Sequence, residues 1–258
     1  MKRAFAFFFW VIWMAVYNAL TFSSATVVLF FSLFMTEKHG PLLRNIVRIW
    51  AKVGFITAFS PVKIRGAENL INEPAVIVAN HQSNLDILIL AGYLPLDFLF
   101  FSKKEVFYIP LVGQLMKKMG YVSVDRKNPK RAAYSIRHAI ERIKANNRVL
   151  IFPEGTRSMD PRELLPFKPG SLMIARMGQV PILPLVIYGT SQVLPINKSF
   201  YMYPGTSVIS ILKPILLDDP LHPANAKSIA EEDEMLDKLR DRMNQAYKTL
   251  TDEMEQKK

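Results

Sequence analysis

From Pro61 onward, seven short apolar runs alternate with segments of helical pattern. The runs are Val62–Ile64, Ala75–Ala79, Phe98–Phe101, Tyr121–Val124, Arg148–Phe152, Pro181–Ile187 and Thr206–Leu212. Helix candidates fall between several of them, at Asn84–Gly92, Leu111–Met119, Asn128–Asn146 and Gly170–Met177. Runs this short, and apolar at nearly every position, suit strands covered on both faces. The alternation predicts an α/β domain with a mostly parallel sheet flanked by helices. A last segment has apolar residues at Ile229, Met235, Leu236, Leu239, Met243, Tyr247 and Leu250. It opens on Ser228-x-x-Glu231, which predicts a capped, amphipathic C-terminal helix.

The first part of the chain reads differently. Ala4 to Thr36 is a 33-residue stretch without a charge. That is longer than the ~7–15-residue apolar core of a signal peptide. As one helix it would be about 50 Å long, against about 30 Å of bilayer hydrocarbon. Polar residues gather at Asn18, Thr21, Ser23 and Ser24. Two short helices, roughly 4–17 and 25–36, with a bend between them, satisfy both facts. The expectation is an N-terminal membrane-embedded helical hairpin, with one tilted span as the alternative. Lys2 and Arg3 precede the segment and Lys38 follows it, which places both ends on the cytoplasmic face. Next, Arg44, Arg48 and Lys52 recur every four residues along Leu42–Phe55. Such a basic stripe suits a helix lying on anionic membrane lipid, or a core helix with a solvated basic edge. The chain therefore divides into membrane-anchoring helices at 1–58 and an α/β domain at 59–258.

The net charge of +11 favours anionic partners. Nucleic acid would explain the charge but not the uncharged N-terminal stretch, so it is not expected as a partner. Eight basic residues crowd 101–131 against only Glu105 and Asp125. Cysteine is absent, which removes disulfides, thiolate metal sites and a cysteine nucleophile.

The chemistry concentrates after the second run, in Asn80-His81-Gln82-Ser83-Asn84-Leu85-Asp86. Histidine is the side chain that acts as a base near neutral pH. A carboxylate can fix its tautomer and stabilise its cation. On one helix, residues five apart diverge by roughly 140° around the axis. His81 and Asp86 therefore meet only if His81 lies in the turn and Asp86 in the first turn of the helix that follows. Ser83 as N-cap and Asp86 three positions later fit that placement. A capping role alone would explain the same spacing. His39, His138 and His222 lie in loops or a polar helix and suit structural roles.

Two more charged turns follow apolar runs. Asp125-Arg126-Lys127 follows the fourth, and Pro153-Glu154-Gly155-Thr156-Arg157-Ser158 follows the fifth. Gly155 would let the backbone approach a ligand closely. Thr156 and nearby N–H groups suit an oxyanion. Arg157 can fork onto a phosphate, and Lys168 adds charge before the next helix. There is no G-x-S-x-G, Walker A, H-E-x-x-H or G-x-G-x-x-G sequence.

Together these blocks resemble a family. Asn80–Asp86 is similar to the H-x4-D block of the glycerolipid acyltransferases. Gly120–Arg126 resembles their second block, Phe152–Ser158 their third, and Val180–Ile187 their fourth. The resemblance implies transfer of an acyl group from a thioester, acyl-CoA or acyl carrier protein, to the sn-2 hydroxyl of lysophosphatidic acid. Another acceptor, such as glycerol-3-phosphate, remains open, as does a non-catalytic protein that binds anionic lipid. The resemblance makes His81 the general base and Asp86 its partner. It makes Arg126, Glu154, Gly155, Thr156, Arg157 and Lys168 substrate-binding residues. It implies no metal, and no cofactor besides the acyl donor. It implies a place at the inner (plasma) membrane, with the active site on the cytoplasmic face.

Overall fold

The computed structural model of the chain describes residues 22–158, 163–196 and 203–256, with residues 11, 12, 15 and 19. Each of the seven apolar runs contains a strand. They are β1 (Val62–Arg65), β2 (Val76–Ala79), β3 (Leu99–Lys103), β4 (Val122–Val124), β5 (Val149–Ile151), β6 (Ile182–Tyr188) and β7 (Ser207–Ile211). The main helices are α1 (Gly40–Thr57), α2 (Leu85–Tyr93), α3 (Val112–Lys118), α4 (Pro129–Lys144), α5 (Gly170–Gly178), the short α6 (Thr190–Val193) and α7 (Ile229–Glu255).

The strands form one sheet in the order β1-β7-β6-β2-β5-β3-β4. β6, β2, β5, β3 and β4 run parallel; β7 is antiparallel to β6 and parallel to β1. β2 sits centrally between β5 and β6. Its side chains alternate, as strand geometry requires. Ile77 and Ala79 join the apolar layer beneath α1, α2 and α3. Val76 and Val78 join the layer shared with α4, α5 and α7. β6 divides in the same way, Leu183, Leu185 and Ile187 against Ile182, Val186 and Tyr188. Burial on both faces is why these strands read as unbroken apolar runs.

The C-terminal helix starts where the sequence placed it. The Ser228 hydroxyl accepts from the Glu231 amide at 3.2 Å. The Glu231 carboxylate reaches back to the Lys227 amide, one residue short of a closed capping box.

Of the two placements open to α1, on anionic lipid or in the core with a basic edge, the structure has it packed on the body through Leu43, Ala51 and Phe55. Arg44 and Arg48 of its basic stripe turn into the protein, while Lys52 stays exposed. Arg44 forks onto Asp97 at 2.7 and 2.6 Å and donates to the Met119 carbonyl at the end of α3. Arg48 donates to the Ala91 carbonyl in the last turn of α2 and to the Leu96 carbonyl in the loop beyond it. Lys52 lies 5.9 Å from the centre of the Tyr93 ring. Through Met119 and Ala91, the two arginines satisfy carbonyls of the kind that helices leave unpaired at their C-termini. The outward face is apolar instead. Leu42, Ile49, Val53 and Ile56 fall within about 60° of one another around the axis, and each is half or more exposed or close to it. Phe59 extends this patch.

Residues 22–32 are helical and turn at 33–34. Phe22, Phe30, Phe31 and Phe34 are exposed along this segment. It is attached to the body by Lys118, whose ammonium donates to the Ser32 and Leu33 carbonyls, and by Trp50, which donates to Ser24. Among the described residues no helix is long and apolar enough to cross a membrane. Most of the expected first helix, at 4–17, lies outside the described residues.

Candidate active site

The C-terminal ends of β2, β5 and β6 lie side by side, the usual place for a site in a parallel sheet. Asn80 closes the end of β2. Its side chain donates to the Ile187 carbonyl at 2.9 Å and accepts the Ile187 amide at 2.7 Å. The chain then leaves the sheet at His81.

His81 is held on every side. Its amide donates to Glu154 Oε1 at 2.7 Å, and its carbonyl accepts from the Ser158 amide at 2.9 Å. Its ring stacks on Phe152 at 4.2 Å between centroids. Its Nδ1 lies 2.8 Å from Asp86 Oδ2. Asp86 is fully buried and also accepts from the Gln82 and Ser83 amides, at 2.6 and 2.8 Å. Ionised, it offers only acceptors, so Nδ1 carries the proton and Nε2 has the free lone pair.

Asp86 thus both starts α2 and orients His81. The cap itself differs from the sequence expectation. The first residue before α2 is Asn84, and the Ser83 hydroxyl accepts the Leu85 amide while donating to the Leu194 carbonyl. The tight turn at Gln82–Asn84 that brings residue 86 under residue 81 displaces the helix start by one position.

Glu154 is buried, and both its oxygens accept backbone amides, His81 at 2.7 Å and Leu165 at 2.9 Å. It ties the first charged turn to the third. Burial pushes its carboxyl up from 4.5 to about 7, against the pull of those two amides. Gly155 has φ +71°, a conformation glycine adopts without strain. Its carbonyl accepts from Arg126, so the second and third turns meet. Lys168 lies over it: a side-chain carbon at 155 would come 2.9 Å from the ammonium nitrogen. Its amide donates to the Pro153 carbonyl. Thr156 and Arg157 line a cleft of about 660 Å³ with Leu164, Leu165, Ile196 and Arg240.

The structure therefore gathers Arg126, Gly155 and Lys168 into one cluster, with Glu154 beneath it and Thr156 and Arg157 on its cleft side. Sequence reasoning missed four neighbours. Asn80 was visible only as part of a block. Phe152 shows itself as a stacking partner only once the strands are aligned. Arg240 is 83 residues beyond Arg157, on α7. Thr190, which donates to Asp86 Oδ1 at 2.5 Å, follows β6 and is 104 positions away. The remaining described histidines serve packing: His222 is buried between the Val180 carbonyl and the Ala224 amide, His39 pairs with Thr36, and His138 with Arg142.

Comparison with known proteins gives the same assignment. The family model described as Acyltransferase matches residues 61–188. A 1-acyl-sn-glycerol-3-phosphate acyltransferase of Saccharomyces cerevisiae is 35% identical over 184 residues, 70% of this chain and 60% of that protein. A chloroplastic 1-acyl-sn-glycerol-3-phosphate acyltransferase of Brassica napus is 38% identical over 66% of this chain and 49% of its own. The chain thus spans about half to three-fifths of the length of these relatives. The crystal structure of the 1-acyl-sn-glycerophosphate acyltransferase PlsC from Thermotoga maritima superposes with a TM-score of 0.73. It is 28% identical, and the match covers 94% of this chain and 96% of that one. The four sequence blocks, their convergence at one sheet edge and these matches agree that the chain belongs to the acyltransferase family.

Proposed function

We propose that the chain transfers a fatty acyl group from a thioester to the sn-2 hydroxyl of lysophosphatidic acid, giving phosphatidic acid. The observation that carries this reading is the His81 Nδ1–Asp86 Oδ2 contact of 2.8 Å beside the Arg126–Gly155 bridge. A base and a cluster of cations at one edge suit a hydroxyl on a phosphorylated acceptor.

In this reaction His81 Nε2 takes the hydroxyl proton as the oxygen attacks the thioester carbonyl. The resulting oxyanion needs donors that are already in place. The Gly155 amide is bound to the Phe152 carbonyl, so the amides of Thr156 and Arg157 take this role. Collapse breaks the carbon–sulfur bond, and the imidazolium returns its proton to the departing thiolate. Every atom that moves comes from acceptor, donor or His81, so the reaction calls for no cofactor besides the acyl donor. Arg126, Arg157 and Lys168 bind the acceptor phosphate. Lys103, Lys117, Lys127 and Lys130 present positive charge to coenzyme A or an acyl carrier protein.

The apolar N-terminal stretch and the outward stripe of α1 form one membrane-facing surface in this reading. The hairpin embeds in the cytoplasmic leaflet of the inner (plasma) membrane, and the site opens towards anionic lipid at the bilayer surface. Purified protein, a labelled acyl thioester and a panel of lysolipids test the activity. Acylated product from lysophosphatidic acid is expected. Transfer only to unphosphorylated acceptors, or none from acyl-CoA or acyl carrier protein, would overturn the reading.

A further inference from the structure

The carboxylate of Asp86 is held by more than its helix. Oδ2 takes three donors: His81 Nδ1 and the Gln82 and Ser83 amides. Oδ1 takes the hydroxyl of Thr190 at 2.5 Å. An ionised carboxylate offers no proton, so the hydroxyl must be the donor. Both residues are fully buried, so bulk water does not reach the pair to replace that bond.

Thr190 arrives from β6, the strand beside β2. Gly189 makes the turn, with φ +88°. A side-chain carbon there would lie 2.3 Å from the Thr206 carbonyl, so this turn requires glycine. A turn that only glycine can make therefore aims one hydroxyl at the carboxylate that faces His81. Packing alone would be met by valine at 190. A hydroxyl suits the site because its donor fixes the carboxylate plane and lowers the charge density on Oδ1.

We propose that Thr190 is a positioning residue for the transfer step, acting on His81 through Asp86. The proposal rests on the acyl-transfer reading for its kinetic arm only. With Thr190 in place, both oxygens of the Asp86 carboxylate are hydrogen-bonded, and Oδ2 faces His81 Nδ1 with part of the charge taken up by the hydroxyl. Without the hydroxyl, Oδ1 is an unpaired buried acceptor, the Gln82 and Ser83 amides still hold Oδ2 at Nδ1, and the less neutralised charge holds an imidazolium more firmly, slowing the return of its proton. Glu154 and Tyr247 also sense the charge of Asp86, and neither is hydrogen-bonded to Thr190.

The test compares wild type, Thr190→Val and Thr190→Ser. For Thr190→Val, kcat is expected to fall roughly tenfold to a hundredfold, the effect of one hydrogen bond to a charged group. KM for the lysolipid should stay unchanged, and the acid limb of the rate profile should move to higher pH. Thr190→Ser should restore most of the rate. A valine variant with wild-type kcat and pH limb, or a serine variant as poor as valine, would overturn the proposal. A second arm needs no turnover. The imidazole nitrogen resonances of His81 are titrated in the full-length protein, with Thr190→Ala replacing valine should valine prevent folding. A raised His81 titration midpoint is expected, and an unchanged one overturns the positioning role. Absence of transfer in the wild type would overturn the acyl-transfer reading, leaving this second arm to decide on Thr190.

Discussion

Glu154 Oε1 accepts the backbone amide of His81 at 2.7 Å, so a buried carboxylate on the third block holds the main chain of the first. Its other oxygen holds the Leu165 amide. Glu154 thus serves as the joint between the loops after β2 and β5.

This joint makes stability depend on pH. The folded-state carboxyl is raised to about 7 from an ordinary 4.5. Between those values the folded chain keeps a proton that the unfolded chain has released. Stability therefore falls as pH rises from about 4.5 to about 7, and is level above. At about 1.4 kcal/mol per pH unit the full effect is about 3 kcal/mol. Unfolding free energies from urea titrations at pH 5 and pH 8 should differ by most of this in the wild type. In Glu154→Gln, which cannot titrate, the difference should shrink. An equal slope in both proteins would show that Glu154 is ionised throughout by its two amides.

The His81–Asp86 pair predicts two distinct losses. His81→Ala should lower kcat by about 10²–10⁴-fold, the range for a general base. Circular dichroism should show an unchanged fold, because the ring is a surface of the site and not a core filler. Asp86→Asn should cost activity and stability together. An amide has one oxygen for the three N–H donors on Oδ2, carries no charge to hold them, and turns the Thr190 hydroxyl from donor to acceptor. A variant Asp86→Asn with full stability would mean that the amide has turned and the helix start has been rebuilt.

The seven apolar runs predict the seven strands because a strand buried on both faces leaves no polar interruption to misread. The His81–Asp86 encounter was legible for a similar reason: helix geometry forbids it within one helix, so it demands a turn. Thr190 was not legible. Its partner is 104 residues away, and which strand lies beside β2 depends on the sheet order, which periodicity does not encode. The direction of α1 was not legible, because the periodicity of Arg44, Arg48 and Lys52 shows that they share a face but not what the face meets. The carbonyls of Ala91 and Met119, at two distant helix ends, and of Leu96, in a loop, decided that.

The cation cluster predicts a split between Arg126 and Arg157. Arg126 is partly engaged by the Gly155 carbonyl, while Arg157 lines the open cleft. Arg157→Ala should raise KM for lysophosphatidic acid with little change in kcat. Arg126→Ala should also disturb the Gly155 turn, lowering kcat as well. Arg126→Lys should restore charge without the fork and recover only part of the rate. Equal losses with phosphorylated and unphosphorylated acceptors would argue against phosphate recognition by either residue.

The placement of α1 separates membrane binding from basic charge. Ile49, Val53 and Ile56 face outward, whereas Arg44 and Arg48 are engaged with the body. Ile49→Asp with Ile56→Asp should weaken flotation with liposomes, by removing apolar area that would enter the bilayer. Neutral and anionic vesicles should be affected alike, since the stripe carries no charge. Arg48→Ala should do the reverse. It leaves the Leu96 carbonyl without its donor, costing about 1–3 kcal/mol of stability, and should leave flotation unchanged. If Arg48→Ala loses binding to anionic vesicles while remaining folded, and the paired aspartate variant still floats, the membrane meets the basic side of α1 instead.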